Sequence, residues 1–265
     1  MPTIISKDGT TIAYDQVGEG PAVILVEGAT VARAASAPLA QLLASDFSVY
    51  YYDRRGRGDS TDTQPYTAEK EVEDIAALID AAGGTAYLYG ISSGGALALE
   101  AAISLRNKVR KLAIYEAPYD SSEAGRGAWR EFRTKLTELL AADDRDGALT
   151  LFMKFVGMPD QALEGMRQGP MWQSMEAIAP TLAYDAAVVG EDCAVPSDKA
   201  AGVTAQTLIM DGGATQGLMP FIRVTAEQLT KVIPGAQHRV LESQGHDVDE
   251  KVLAPVLREF FGKQS

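Results

Sequence analysis

Polar and hydrophobic positions follow two regimes along the chain. Short, mainly apolar runs at Ala22–Val26, Phe47–Tyr52, Ala86–Tyr89, Lys111–Tyr115 and Thr207–Met210 lack the one-in-two alternation of a half-exposed strand. Such runs read as strands buried on both faces, which is the habit of parallel sheets. Between them lie stretches with helical spacing: about Ala35 to Ala44, Thr67 to Ala81 with Thr67 at the N-cap, and the small apolar residues from Gly95 onward. A further helix is expected from about Pro220 to Val232, then a strand at His238–Leu241 and a last helix from about Asp249 to Phe260. At the start, Thr3–Ser6 and Thr11–Val17 flank Asp8-Gly9, a hairpin signal. Strands alternating with helices predict a parallel α/β sheet with right-handed crossovers.

The alternation stops at Tyr119 and resumes near Gly202. Between them the pattern predicts helices only: Gly127–Ala142, Asp146–Val156, Pro159–Gln168 and Met171–Ala187. An insertion of roughly eighty residues is far longer than an ordinary connection. Five of the eight methionines fall in it (Met153, Met158, Met166, Met171 and Met175), with Trp172 among them. The expected organisation is therefore a core in two parts, residues 1–118 and 203–265, separated by a helical region at 119–202.

Composition narrows the function. With 265 residues, 46% of them hydrophobic, the chain can bury a sizeable core. A net charge of −12 argues against a nucleic-acid partner, because phosphate neutralisation needs clustered Lys and Arg. The single cysteine, Cys193, permits neither an internal disulfide nor a cysteine metal cluster. No run reaches the roughly 18 apolar residues of a membrane helix. The first residues carry neither a basic nor an apolar leader region, so the cytoplasm is the expected compartment.

The strongest chemical signal is Gly90-Ile91-Ser92-Ser93-Gly94. It fits G-x-S-x-G between a strand and a helix, the context of a nucleophile elbow. Ser92 would sit in a strained turn at the carboxyl end of its strand, beside the positive end of the next helix. Only two histidines could deprotonate it. His238 lies inside a strand and reads as structural. His246 lies in a Gly-containing loop after the last strand, at the sheet edge where Ser92 emerges.

Taken with the loop Asp53-Arg54-Arg55-Gly56-Arg57-Gly58-Asp59-Ser60 and with Gly245-His246-Asp247, the elbow makes the chain resemble the α/β-hydrolase family over nearly its whole length. The nearest likeness is to small cofactor-free esterases, lactonases and haloperoxidase-like members. The resemblance implies an α/β-hydrolase fold, with a mostly parallel eight-stranded sheet and a helical cap inserted after strand six. It implies Ser92 as nucleophile, His246 as base, and an oxyanion hole from the backbone N–H groups of Ser93 and Ala29. It implies no metal and no cofactor, and a small-molecule substrate. Its arginine loop is structural in the family.

Two positions depart from the family. Glu27-Gly28 stands where His-Gly is usual, and a Glu27 carboxylate near a developing oxyanion must be paired or turned away; Arg33, Arg54 and Arg55 are within plausible reach. Glu27 could also orient substrate. The family's acid position after strand seven falls on Thr215, which cannot carry charge. Glu116, at the end of strand six, is the expected substitute, because some haloalkane dehalogenases, similar in fold, place their acid there. Asp211 is the alternative acid, and a Ser–His dyad the third possibility. In the cap, Met153, Trp172 and Met175 are candidate pocket residues for an apolar or bulky substrate. The expected activity is hydrolysis of a carboxylic ester or lactone through an acyl-enzyme. A C–C bond hydrolase or lyase on the same residues, and a non-catalytic receptor of the same fold, are the alternatives.

Overall fold

A computed structural model describes residues 1–262. Its strands are β1 (Thr3–Ile5), β2 (Thr11–Val17), β3 (Ala22–Val26), β4 (Ser48–Tyr52), β5 (Ala86–Ile91), β6 (Val109–Tyr115), β7 (Gln206–Gly212) and β8 (Gln237–Leu241). They form one sheet in the order β1-β2-β4-β3-β5-β6-β7-β8. β1 with β2 and β2 with β4 are antiparallel, and every neighbouring pair from β4 to β8 is parallel. β3 and β4 are buried at every position, as strands covered on both faces must be.

The helices are α1 (Ala37–Leu43), α2 (Ala68–Ala81), α3 (Ser93–Leu105), α4 (Glu123–Ala141), α5 (Arg145–Phe155), α6 (Asp160–Arg167), α7 (Pro170–Ala177), α8 (Leu182–Val189), α9 (Ser197–Ala200), α10 (Phe221–Val232) and α11 (Glu250–Gly262). Strand alternation sends Val23, Leu25 and Val49 to one face, where Leu39 and Leu43 of α1 and Leu253 and Leu257 of α11 cover them. Ile24, Leu88 and Leu112 face the other way, onto α2, α3 and α10. Burying both faces of the sheet this way removes most of its apolar surface from water.

Helices α4 to α9 all follow β6, where the resemblance puts a cap. One local expectation is corrected. The single helix expected over Met171–Ala187 is two, α7 and α8, with Pro180 in the short 3₁₀ turn Ala179–Thr181 between them. Proline lacks the N–H that a continuous helix needs and clashes with the preceding turn. Thr67 occupies the N-cap position of α2 but makes no capping bond to its backbone; its hydroxyl meets the Glu69 carboxylate. Among the described residues, no helix is long and apolar enough to cross a membrane.

Register across the sheet sets up the site. Ile91 of β5 pairs with Tyr115 of β6, and Tyr115 with Met210 of β7. Ser92, Glu116 and Asp211, one residue further along each strand, therefore lie side by side at the carboxyl edge. The Ser92 N–H donates to the Tyr115 carbonyl, and the Glu116 N–H to the Met210 carbonyl, both at 3.0 Å.

Candidate active site

The elbow forms because two glycines let backbones touch. A Cβ on Gly90 would fall 2.3 Å from the Gly94 carbonyl oxygen, and one on Gly94 would fall 2.2 Å from that of Val26. With those contacts made, β5 turns straight into α3. Ser92 takes φ 55°, in the left-handed region that non-glycine residues avoid. The first N–H groups of α3, that of Ser93 included, have no partner within the helix and point toward its amino end. The loop after β3 lies against this turn: a Cβ on Gly28 would sit 3.0 Å from the Ser92 Cβ and 3.6 Å from its Oγ. Ala29 follows, half-buried.

Glu116 also has a left-handed backbone, φ 50°. Its carboxylate is fully buried and accepts two hydrogen bonds. Oε1 takes the Gly212 N–H at 2.8 Å, and Oε2 lies 2.7 Å from Nδ1 of His246. A carboxylate accepting at Nδ1 leaves Nε2 as the ring's proton acceptor. The His246 side chain is 37% exposed. The Tyr115 hydroxyl pins the His246 loop by donating to the Gly245 carbonyl at 2.5 Å.

Asp211 stands at the same level of the sheet but serves another histidine. It lies inside β7, and alternation turns its side chain to the α10 face. There Oδ2 takes the guanidinium of Arg223, and Oδ1 is 2.5 Å from Nε2 of His238. The structure thus brings Glu116, not Asp211, to His246. Thr215, at the family's acid position, is buried, and its hydroxyl has no hydrogen-bond partner.

The Glu27 carboxylate forms no ion pair with Arg33, Arg54 or Arg55, which are paired with other carboxylates. Glu27 follows β3 on the α1 face, where its carboxylate bonds the Ser36 hydroxyl. Burial raises its pKa above the ordinary carboxylate value; Ser36, the Gly28 N–H and Arg57 only partly offset this. The arginines serve other carboxylates. Arg54 makes a bidentate pair with Glu71, at 2.7 Å for each bond. Arg55 holds Asp74 in the same way and also reaches Asp8. Arg57 binds Asp185 at 2.7 Å.

Asp185 is a residue that the sequence reading missed. It belongs to α8, takes Arg54 as well at 2.6 Å, and accepts from the Ser93 hydroxyl at 2.7 Å. The two guanidiniums hold its carboxyl below the usual range against the opposing effect of burial. A signal was available: Asp185 is the one charged residue in Leu182–Val189. Met153, Trp172 and Met175 are buried within the packed helices of the cap, and the Trp172 indole N–H donates to Asp146 at 3.0 Å. Among the described residues, no group of three or more His, Cys, Asp or Glu could hold a metal ion.

A crystal structure of an alpha/beta hydrolase from Sphaerobacter thermophilus superposes with a TM-score of 0.90 at 47% identity, covering 98% of this chain and 100% of that one. The chain is also similar to a zearalenone hydrolase from Cladophialophora bantiana, 30% identical over 128 residues, 46% of this chain and 48% of that protein. A pimeloyl-[acyl-carrier protein] methyl ester esterase from Stenotrophomonas maltophilia is 38% identical over 104 residues, 39% of this chain and 38% of that protein. The chain thus matches about half the length, or less, of these two curated relatives. Residues 24–251 match the profile of the Alpha/beta hydrolase family, and with the fold and its cap after β6 this makes the chain a member of that family.

Proposed function

We propose that the protein is a cofactor-free serine hydrolase that cleaves a carboxylic ester or lactone through an acyl-enzyme. The observation that carries the reading is the bond between His246 Nδ1 and the buried Glu116 carboxylate, 2.7 Å long, on the strand next to Ser92. It supplies the acid that the family position, Thr215, lacks, and so favours turnover over a binding-only role.

In this reading Ser92 Oγ attacks the carbonyl carbon while His246 Nε2 takes its proton. Negative charge moves to the carbonyl oxygen, where the N–H groups of Ser93 and Ala29 receive it. Glu116 keeps the ring in the Nδ1–H form and stabilises the imidazolium. As the tetrahedral species collapses, the alcohol departs with the proton from His246. Water, deprotonated by the same nitrogen, then attacks the acyl-enzyme and releases the acid. The Glu27 carboxylate is bonded to the Ser36 hydroxyl. The apolar make-up of the cap, in which Met153, Trp172 and Met175 are buried, supports an apolar or bulky substrate. The names of the esterase and the zearalenone hydrolase fit an ester-type bond and a bulky small molecule.

The test combines a fluorophosphonate probe with hydrolysis of p-nitrophenyl esters of increasing chain length and of lactones. The reading expects labelling and turnover that both disappear in Ser92→Ala. Residual rate would come only from binding and the oxyanion hole, about 10³–10⁴ over water. Near-normal esterase activity in Ser92→Ala, or an unlabelled and inactive wild type, sinks it.

A further inference from the structure

We infer that Asp185, a carboxylate of the cap, is a positioning residue for the oxyanion hole: it aims both of the N–H groups that would receive the charge. The inference rests on the serine-hydrolase reading above and adds the part of the chain that makes the hole rigid.

Three groups meet at this carboxylate, all of them buried. Oδ1 accepts from the Ser93 hydroxyl at 2.7 Å and from Arg54 Nη1 at 2.6 Å, and Oδ2 accepts from Arg57 Nη2 at 2.7 Å. The same guanidiniums grip the loop after β3. Arg54 Nη1 donates to the Glu27 carbonyl at 3.3 Å, and Arg57 Nη1 to the Gly28 carbonyl at 2.5 Å. Arg57 is held from a third side by Thr181, whose hydroxyl accepts from Nε at 3.0 Å. Asp185 and Thr181 thus fix a planar guanidinium in one orientation.

The consequence follows from the peptide unit. The Gly28 carbonyl and the Ala29 N–H are opposite ends of one rigid, planar group. A guanidinium holding the carbonyl end therefore sets the direction of the N–H end. A cationic donor on that carbonyl also polarises the amide, which strengthens the hydrogen bond its N–H can give. On the other side of the hole, the Ser93 hydroxyl is tied to the same carboxylate, and Ser93 carries the second N–H. One buried acid thereby ties both halves of the hole together. Fixed dipoles stabilise developing charge only when they are already aimed at it. A buried ion-pair network is weak evidence for stability, since desolvation cancels much of its attraction. Here its bonds end on Glu27, Gly28 and Ser93, the residues that border Ser92, and direction is what they supply.

The experiment compares the intact protein with Asp185→Asn, Arg57→Lys and Ser93→Ala. Asn keeps the shape but loses the charge; Lys keeps the charge but loses the planar fork that engages Thr181, the Gly28 carbonyl and Asp185 through three separate nitrogens; Ala removes the hydroxyl tie and leaves the Ser93 N–H. The readouts are kcat and KM on p-nitrophenyl acetate, inhibition by a phenyl trifluoromethyl ketone, and thermal melting. Losing one hole donor outright costs about 10²–10³ in kcat, so misaiming both should lower it about 10–100-fold. KM should stay within about threefold, because the hole acts on the transition state. Affinity for the ketone, whose adduct with Ser92 carries an oxyanion, should fall by the same factor as kcat/KM. Should Asp185→Asn fail to fold, Arg57→Lys and Ser93→Ala, each of which releases one half of the hole, should still lower kcat about tenfold with KM unchanged.

Variants that melt at lower temperature yet keep wild-type kcat and ketone affinity would overturn the inference, as would a rise in KM alone. In either case a wild type still labelled at Ser92 leaves the hydrolase reading standing. Loss of that labelling, or full activity in Ser92→Ala, would bring down both.

Discussion

Replacing Glu116 with Gln changes one charge and one of two hydrogen bonds while keeping nearly the same shape. The amide oxygen can still accept the Gly212 N–H that now reaches Oε1 at 2.8 Å. The amide NH₂ then faces Nδ1 of His246, a donor where an acceptor stood at 2.7 Å. The ring must turn to its Nε2–H form, which cannot take the Ser92 proton. The imidazolium of the transition state also loses its counter-charge. With charge centres about 4 Å apart and an effective dielectric of about 20, that attraction is worth about 4 kcal/mol. At 1.36 kcal/mol per tenfold, this is about three orders of magnitude. Solvent at the partly exposed ring reduces the electrostatic share, and the wrong tautomer adds to the loss. The expected fall in kcat is therefore about two to four orders of magnitude; an amide swap at the acid of a serine protease costs about 10⁴. The assay is kcat at saturating p-nitrophenyl ester with a melting curve to show that the fold survives, and Asp211→Asn as control. Since Asp211 is committed to His238 and Arg223, its amide should cost less than about tenfold. A folded Glu116→Gln within tenfold of wild type, or a larger loss in Asp211→Asn, refutes the reasoning.

His246→Ala should abolish ester hydrolysis, while His238→Ala, which lacks contact with Glu116, should leave most of it; equal losses in kcat would show the base misassigned. Glu27 gives a pH-dependent prediction. Because burial raises its folded-state pKa above 4.5, the folded protein binds this proton more tightly than the unfolded chain, and stability declines as pH rises from that value. Glu27→Gln should therefore melt higher than wild type at pH 8, with the difference gone below about pH 4, where both states are protonated; a melting temperature no higher at pH 8 contradicts this. Trp172→Ala removes a buried indole and its bond to Asp146, which should cost about 3–5 kcal/mol in denaturant unfolding. The proposal further expects it to lower kcat/KM for long-chain esters more than for acetate, and an unchanged ratio would make Trp172 purely structural.

The parts of this protein that could be read from its residues are those governed by short-range rules. Apolar runs without alternation mark the buried strands, and Gly90 and Gly94 around Ser92 mark a turn that only small neighbours permit. The long strand-free stretch after Tyr115 marks the cap. Ser92, Glu116 and His246 could all be singled out because each sits at a strand end or in the loop after one. The remainder depended on contacts between residues far apart in the chain. Glu116 and Asp211 come one residue after the paired Tyr115 and Met210 of neighbouring strands, so position could not choose between them. The choice came from alternation, which turns Asp211 to the α10 face, and from a left-handed backbone that sends Glu116 to a loop 130 residues away. Glu27 looked like a partner for the arginines until the pleat put its side chain on the α1 face. Asp185 stayed hidden for the same reason: a carboxylate in an apolar helix has meaning only beside Arg54 and Arg57, more than 120 residues earlier, and burial of all three together is a property of the packed chain.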